Sequence, residues 1–371
     1  MEVTAALANI IALLASIAAG LLLTAGAVKL APRFNLVVRP RLYGRCDTPI
    51  TFLGGPVLAT SAMVVYLLLG NPTPILSVLL IASLAVLVLG FLDDILSAQE
   101  GLTPGTRLAI EVVIAGGMWF QGVSAFTTAP SWLDFGITVV FLVGGMNAFN
   151  LIDNMDGVAG VTATAVAFGV AAFALAGGHT QYALLAICLG GASVAFLFFN
   201  FRNPRAYLGD AGSLFLGLSL SGMALTIDAG FRPPGNFIAA LLIFAVPFTD
   251  TLTRQLSRWV SGGSPFDITG STDHLSHKLV AQGFSPPEVA SLHGIAGLFA
   301  TASAGISALY LYLPPMLFTL GAFALFGLVF VWRTWRSAKS PEPDKPAVSS
   351  ERPSPATAGE QDRGPLAVKP L

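Results

Sequence analysis

Apolar segments of about twenty residues follow one another along almost the whole chain. A helix needs roughly 20 apolar residues to cross the hydrocarbon core of a bilayer. We interpret eleven of these segments as membrane-spanning helices. They lie near residues 5–27, 52–70, 74–92, 107–126, 132–149, 157–177, 181–199, 212–228, 235–253, 288–312 and 314–335.

The composition supports a membrane protein and excludes several other classes. Of the 371 residues, 54% are hydrophobic and 11% are charged, and the mean hydropathy is +0.75. Soluble domains carry about 25% charged residues, so a soluble enzyme and a disordered chain are excluded. The net charge of −1 offers no attraction to nucleic acid. Two cysteines, Cys46 and Cys188, provide neither a disulfide framework nor metal-ligand spacing. The sequence predicts an all-α integral membrane protein with about eleven transmembrane helices.

Positive charges are distributed unevenly between the two sides of the predicted bundle. Of the 19 Lys and Arg residues, only Arg232 falls in a loop on the side of the N-terminus. Cytoplasmic loops carry an excess of Lys and Arg, so we expect the N-terminus outside and the C-terminus in the cytoplasm. The outer loops are too short to hold a site. Residues 1–336 are predicted to form the multi-span domain, and residues 337–371, rich in Pro, Ser and Ala, a disordered cytoplasmic tail.

Acidic residues cluster at the cytoplasmic ends of the predicted spans. Asp93 and Asp94 close the third span in G-F-L-D-D-I, and Asp153 and Asp156 lie in N-A-F-N-L-I-D-N-M-D-G. Asp210 lies in Y-L-G-D-A-G-S-L, before the eighth span. Ionisable residues beside apolar spans are costly and usually functional. A single one could instead cap a helix, as Asp210 could for the eighth span, but five carboxylates on one side favour a functional site.

Several carboxylates at a water–lipid boundary are typical of a divalent-cation site. Mg²⁺ is usually held by one or two carboxylates plus substrate phosphates. Gly209 and Gly212, beside Asp210, are expected to let a ligand approach the backbone closely, and nearby Arg or Lys side chains can bind phosphate oxygens. The pattern predicts Mg²⁺-assisted chemistry on a phosphorylated, amphiphilic substrate in a cleft on the cytoplasmic face.

The ordered set of motifs resembles one enzyme family. The matching pieces are T-P-I-T-F-L-G-G (48–55), G-F-L-D-D-I (90–95), N-A-F-N-L-I-D-N-M-D-G-V-A (147–159), N-P-R-A-Y-L-G-D-A-G-S-L-F-L-G (203–217), P-F-T-D-T (247–251) and S-P-F-D-I-T-G-S-T-D-H-L-S-H-K-L (264–279). In order, spacing and side of the membrane they are similar to the polyprenyl-phosphate N-acetylhexosamine-1-phosphate transferase family, over roughly residues 40–285. The ten- or eleven-span architecture of that family agrees with the span count.

The resemblance implies a reaction and its partners. A UDP-N-acetylhexosamine, by default UDP-N-acetylglucosamine (UDP-GlcNAc), would donate sugar-1-phosphate to undecaprenyl phosphate and leave UMP, as the first membrane step of a cell-surface glycan pathway. The family also implies Mg²⁺, with Mn²⁺ as the alternative ion, and a place among the lipids of the bacterial cytoplasmic membrane. No nucleic-acid partner is expected, and a homodimer is compatible with the sequence.

The resemblance also assigns roles to individual residues. Asp93 resembles the residue proposed to deprotonate the lipid phosphate. A phosphomonoester is mostly dianionic at pH 7, so a positioning role for Asp93 stays open. Asp210 resembles the principal Mg²⁺ ligand, with Asp153 as a second ligand. The remaining assignments are Asp94, Asp153 and Asp156 as catalytic acids, and Asn147, Asn150, Arg107, His274, His277 and Lys278 as substrate-binding residues.

Two positions depart from the family pattern H-x-H-H-R-L. Ser276 stands in place of the middle histidine, and Lys278 in place of the arginine. Lysine is a point charge where arginine offers a planar fork, so the selection of the donor is expected to differ. Two alternatives stay open. A membrane prenyltransferase would repeat D-x-x-D motifs in two loops, and a transporter would need mid-span charges, for which Glu111 and Asp250 are the candidates.

Overall fold

The structure, a computed structural model, describes residues 2–38, 49–96, 101–126, 129–231, 234–260, 262 and 274–339. Within these ranges it has thirteen α-helices, a short 3-10 helix (Ala31–Phe34) and an antiparallel pair of two-residue strands, β1 (Val37–Val38) and β2 (Ile50–Thr51). The helices are α1 (Glu2–Leu30), α2 (Gly54–Leu69), α3 (Pro74–Leu96), α4 (Pro104–Phe120), α5 (Ser131–Ile152), α6 (Val158–Ala176), α7 (Thr180–Asn200), α8 (Gly209–Thr226), α9 (Gly235–Ile243), α10 (Ala245–Val260), α11 (Leu275–Ala281), α12 (Pro286–Tyr310) and α13 (Pro314–Lys339).

A helix lies at every predicted span, and the all-α integral membrane class is confirmed. Among the described residues, seven helices are long and apolar enough to cross a bilayer, or eight if α9 and α10 count as one bent span. Helices α2 and α4 have 16 and 17 residues. At 1.5 Å per residue they are about 25 Å long, against a hydrocarbon core of about 30 Å. The count of eleven spans therefore stays a prediction.

Helix α8 forms the centre of the bundle. Every residue from Ala211 to Leu225 is buried, because α2, α3, α5, α6 and α9 pack around it. Interfaces between helices in membranes favour small and hydroxyl-bearing residues, and α8 accordingly carries several glycines and serines, including Ser219, which donates to Ser83 of α3 at 2.8 Å. This composition lowers the hydropathy of α8, so it is not among the seven apolar helices.

Two glycine pairs bring α8 within backbone distance of its neighbours. A Cβ on Gly55 of α2 would lie 2.3 Å from the Gly212 nitrogen, and a Cβ on Gly217 would lie 2.6 Å from the carbonyl oxygen of Gly145 in α5. No larger side chain fits at these distances without a shift of the backbone. The glycines therefore fix α2 and α5 against α8.

The ninth predicted span, 235–253, coincides with two helices, α9 and the first part of α10, rather than with one straight helix. Helices α9 and α10 meet at Phe244 with a bend of 72°. Pro247 has no N–H to donate to the Ile243 carbonyl, its partner one turn back, so the ladder of hydrogen bonds breaks there. Beyond the bend, α10 buries a polar stripe that includes Asp250 and leaves large apolar side chains exposed.

An extended segment ties the start of α2 to the chain that precedes α8. Thr51 donates its N–H to the Arg205 carbonyl at 3.2 Å, and its carbonyl accepts the Tyr207 N–H at 2.8 Å. The Gly54 N–H then donates to the Tyr207 carbonyl at 3.1 Å. The motif T-P-I-T-F-L-G-G therefore fixes the backbone immediately before Asp210.

Part of the predicted chain organisation lies outside the described residues. Helix α13 continues to Lys339, three residues past the predicted domain boundary at 336. The predicted features outside the described ranges are Arg39, Arg41 and Arg45 of the first cytoplasmic loop, Cys46, Thr48, Arg232, residues 263–273 and residues 340–371 of the tail.

Gly55→Ala tests the contact between α2 and α8. The added methyl group would lie 2.3 Å from the Gly212 nitrogen, so the backbone must move, and we expect the free energy of unfolding to fall by about 1–3 kcal/mol. Gly117→Ala on α4 is the matched control, because nothing lies within 4 Å of its added methyl group. It should be neutral or slightly stabilising. Thermal unfolding in detergent compares the two, and equal midpoints would contradict the contact.

Candidate active site

Carboxylates from three parts of the chain meet at one end of the bundle. Asp93 and Asp94 lie in the last turn of α3, Asp210 lies in the first turn of α8, and Asp153 directly follows α5. Helices α3 and α5 both pack against α8. The structure therefore brings together four residues that lie in three separate sequence motifs.

Asp94 caps the N-terminus of α8. Its two carboxylate oxygens accept the N–H groups of Asp210 at 2.9 Å and of Ala211 at 3.1 Å. The first N–H groups of a helix have no partner within it, and a carboxylate at this end also interacts favourably with the helix dipole. The alternative that Asp210 caps its own helix is wrong, because the residue before α8 makes no side-chain cap and Asp94 supplies one from α3.

Gly209 and Gly212 serve packing rather than access for a ligand. Gly209 has a φ of +70°, and a Cβ there would lie 2.6 Å from Asp94 Oδ2. Gly212 faces Gly55 across the contact between α2 and α8. The expectation that these two glycines leave room for a ligand is therefore wrong, since this chain's own atoms fill both spaces.

Arg107 is a cation that joins three of the acidic side chains. Its Nη1 lies 2.9 Å from Asp210 Oδ2 and 3.6 Å from Asp93 Oδ2, and its Nε lies 3.2 Å from Glu111 Oε1. Thr103 caps α4 by accepting a backbone N–H. The cap starts α4 so that Arg107 falls in its first turn, beside the ends of α3 and α8.

Two asparagines of α5 hold acidic side chains in this structure. Asn150 donates its side-chain amide to Asp210 Oδ1 and, at 3.0 Å, to Ser213 Oγ. Asn147, one turn earlier, donates to Glu111 Oε2. Both oxygens of Asp210 therefore have partners from this chain. The substrate-binding roles of the two asparagines stay predictions.

A buried asparagine anchors the loop that carries Asp153 and Asp156. Gly157, at the end of this loop, donates its N–H to Asn200 Oδ1 at 2.7 Å. Asn200 in turn donates to the Ala206 carbonyl at 2.9 Å. Asn200 thus joins the acidic loop to the segment that leads into α8.

Negative charge accumulates around the acidic loop. Desolvation, followed by the negative charges of Asp210, Asp94 and Asp156, raises the pKa of Asp153 to about 8. Burial is the larger cause of this shift, and the neighbouring carboxylates add to it. A bound divalent cation would act against both causes, because it favours the charged form of the carboxyl group.

The histidine segment is attached to the rest of the site through buried side chains. His274 Nδ1 lies 3.2 Å from Asp250 Oδ2, and the Leu275 N–H donates to Asp250 Oδ1 at 3.2 Å. Ser276 donates its hydroxyl to Asn154 Oδ1 in the acidic loop. The serine that departs from the family pattern therefore links the histidine segment to the loop of Asp153 and Asp156.

The other two basic residues of this segment contribute in different ways. Burial, with the neighbouring His274, lowers the pKa of His277. Lys278 Nζ lies 4.9 Å from the centre of the Phe330 ring in α13. The substrate-binding roles of His277 and Lys278 stay predictions.

The donor set suits a hard cation that shares its ligands with a substrate. Within the described part of the chain, no three His, Cys, Asp or Glu side chains group into a metal site of their own. Asp210 and Asp153 supply carboxylate oxygens, and one or two carboxylates plus substrate phosphates form the usual Mg²⁺ set. Asp210 and Asp153 are therefore the residues that would hold Mg²⁺ together with a substrate phosphate.

Known sequences match the chain over the region that builds this site. Residues 76–228 match the family described as Glycosyl transferase family 4. A Bacillus subtilis protein named "Probable undecaprenyl-phosphate N-acetylglucosaminyl 1-phosphate transferase" is 28% identical, over 74% of this chain and 78% of its own length. A Streptomyces coelicolor protein, provisionally named a glycosyltransferase, is 33% identical over 76% of this chain and 67% of its own. The phospho-N-acetylmuramoyl-pentapeptide-transferase of Bacillus cytotoxicus is 31% identical over 56% and 75%. The chain belongs to glycosyl transferase family 4.

Membership in glycosyl transferase family 4 confirms the resemblance drawn from the motifs. The chain is an enzyme, a sugar-1-phosphate transferase embedded in a membrane through several apolar helices. The transporter alternative loses its support, because Glu111 pairs with Arg107 and Asp250 pairs with His274 rather than lying along a pathway. No observation favours the prenyltransferase alternative.

Several polar residues that build the transferase site are not predicted from the sequence. Asn154 and Asn200 join loops, and Ser213 binds Asn150. Asn200 could have been selected from the sequence, since it is a polar residue at the end of a long apolar segment. Glu111 could also have been selected, because acidic and basic residues four apart in a helix lie on one face.

Proposed function

We propose that this transferase moves N-acetylhexosamine-1-phosphate, by default GlcNAc-1-phosphate, from a UDP-sugar to undecaprenyl phosphate with Mg²⁺ as cofactor. The observation that carries the proposal is the convergence of Asp93 and Asp210 on Arg107 at one end of the bundle, with Asp153 close to Asp210. The name of the Bacillus subtilis relative, which specifies undecaprenyl phosphate and an N-acetylglucosaminyl 1-phosphate group, supports both substrates.

The proposed reaction exchanges one phosphoanhydride bond for another. An oxygen of the lipid phosphate forms a bond to the phosphorus that carries the sugar. The bond from this phosphorus to the oxygen shared with the uridine-bearing phosphate breaks, and that oxygen keeps the electron pair and leaves in UMP. A phosphomonoester is mostly dianionic at pH 7, since its second pKa is about 6. A strong base is therefore not required.

The chain's own residues would position two phosphates that repel each other. The Arg107 guanidinium can bind phosphate oxygens through two parallel N–H groups. Asp93 accepts the Leu102 N–H at 2.8 Å and faces Arg107, which favours a positioning role for Asp93 over the role of a base. Asp94 fixes the start of α8, and thereby the position of Asp210.

Asp210 and Asp153 are the residues that would hold the metal. Mg²⁺, when bound, neutralises phosphate charge and polarises the transferred phosphoryl group. Phosphoryl transfer depends mainly on positioning and on stabilisation of charge. A site built from fixed carboxylates, one arginine and two asparagines supplies positioning from several helices. Mn²⁺ is the alternative ion, because carboxylate ligands suit both metals.

Purified protein in detergent tests the proposed reaction. UMP should be released from UDP-GlcNAc only when both undecaprenyl phosphate and Mg²⁺ are present, and mass spectrometry should show undecaprenyl-diphosphate-GlcNAc. UDP-GalNAc and UDP-N-acetylmuramoyl-pentapeptide serve as competing donors. Activity with UDP-N-acetylmuramoyl-pentapeptide but not with the UDP-N-acetylhexosamines would contradict the proposed donor. UMP release in the absence of undecaprenyl phosphate would contradict transfer to the lipid.

We also propose that the site faces the cytoplasm of a bacterial cell, with the N-terminus outside, because cytoplasmic loops carry the excess of Lys and Arg. Single cysteines in place of Thr73, between α2 and α3, and of Gln282, after α11, test this orientation in a chain that lacks Cys46. Both positions are exposed. An impermeant thiol reagent should label the first in intact cells and the second only after lysis. Labelling of position 282 but not of position 73 in intact cells would contradict the proposed orientation.

A further inference from the structure

We propose that Glu111 is a positioning residue that holds Arg107 against Asp210. The arginine then balances the negative charge of Asp210, the proposed metal ligand, when no metal is bound. The inference rests on the proposed function and deepens it, because it assigns a role to a residue outside the recognised motifs. Glu111 lies in α4, one turn beyond Arg107, and its side chain is 0% exposed.

A buried carboxylate is costly unless its charge and its hydrogen-bonding capacity are both satisfied. Glu111 meets this condition with one partner for each oxygen. Oε1 accepts the Arg107 Nε–H at 3.2 Å, and Oε2 accepts the side-chain amide of Asn147. Asn147 of α5 thus fixes the carboxylate of α4, and the carboxylate fixes the guanidinium.

The shape of the guanidinium makes this contact directional. Arginine presents its N–H groups in a rigid, planar fork, so a hydrogen bond at Nε sets the plane in which the remaining groups point. With Nε on Glu111, Nη1 reaches Asp210 Oδ2 at 2.9 Å and Asp93 Oδ2 at 3.6 Å. Loss of the Glu111 charge would leave Arg107 charged but without this fixed orientation.

Arg107 also competes with a metal for Asp210, because Nη1 and a divalent cation would both interact with the same carboxylate. Removal of the Arg107 charge should therefore strengthen metal binding. Removal of the Glu111 charge should weaken it, because the cluster loses a negative charge that attracts the cation. The two neighbouring residues are thus expected to have opposite effects on metal affinity.

Glu111→Gln is the first test, measured as Mg²⁺-dependent UMP release from UDP-GlcNAc with undecaprenyl phosphate. Mutation of a residue that orients a metal ligand typically lowers metal affinity or activity by about 10–100-fold. We expect kcat to fall by a factor in this range. KM for UDP-GlcNAc should change by less than about threefold, since an interaction made in the transition state lowers kcat rather than binding. A kcat within twofold of the wild type would overturn the inference.

A double-mutant comparison shows whether Glu111 acts through Arg107. In an Arg107→Gln background, adding Glu111→Gln should change kcat by less than about threefold, because the contact that the second change removes is already absent. Full additivity of the two losses would show that Glu111 acts independently, and would overturn the inference. Glu111→Asp keeps the charge but has a shorter side chain, and it should lower kcat while it retains metal affinity.

Binding of Mn²⁺ without substrates gives a readout that does not depend on activity. The signal of free Mn²⁺ in electron paramagnetic resonance should show tighter binding by Arg107→Gln and weaker binding by Glu111→Gln. Asp134→Asn is the matched control, since Asp134 is also buried and multiply hydrogen-bonded, to Trp119 and Ser124 among others. It precedes Asn147 by about 20 Å along α5, and its variant should bind Mn²⁺ like the wild type. Weaker binding by Arg107→Gln would contradict the competition.

The failure of this inference can be told apart from failure of the proposed function. If the wild type releases no UMP from any of the donors, the proposed reaction is wrong. If the wild type is active and Glu111→Gln matches it in kcat and in Mn²⁺ affinity, then the reaction stands and only the role of Glu111 is wrong.

Discussion

The hydrogen bonds from the start of α8 to Asp94 are the contact on which the site depends. A helix that begins inside protein, at the edge of a membrane, has N–H groups that neither its own turns nor bulk water can satisfy. Asp94 accepts two of them from α3. This contact sets where α8 begins and so where Asp210 stands, and the link from Thr51 to Tyr207 fixes the same point from the other side.

The second constraint is charge. Arg107 contacts Asp93, Asp210 and Glu111, while the carboxyl groups of Asp153 and Asp94 lie close to Asp210. Such an arrangement leaves the ligand-free site with carboxylates that repel one another, which a divalent cation would relieve. The same arrangement explains why a short stretch of chain holds so many asparagines, since Asn147 and Asn150 satisfy carboxylate oxygens without adding charge.

The sequence was sufficient to predict the helices and the acidic end of the bundle, because spans of about twenty apolar residues and charges that avoid them are both local patterns. It was not sufficient for contacts between distant segments. The pairing of Asp250 with His274 and of Ser276 with Asn154 joins parts of the chain that carry no mutual signal in one sequence. Hydropathy averaged over a span also missed the break before Pro247. The motif around Asp210 lies with the other acidic residues, but the expectation for its glycines was wrong, since nothing local shows that Asp94 and Gly55 fill the space beside them.

The most direct test of this account is whether Asp210 joins a metal to the phosphates of the donor. Electron–nuclear double resonance on protein loaded with Mn²⁺ and UDP-GlcNAc detects phosphorus nuclei within bonding range of the metal. The account predicts phosphorus couplings in the wild type, and loss of both the couplings and tight Mn²⁺ binding in Asp210→Asn, which keeps the size of the side chain but not its charge. Unchanged binding and unchanged couplings in Asp210→Asn would contradict it.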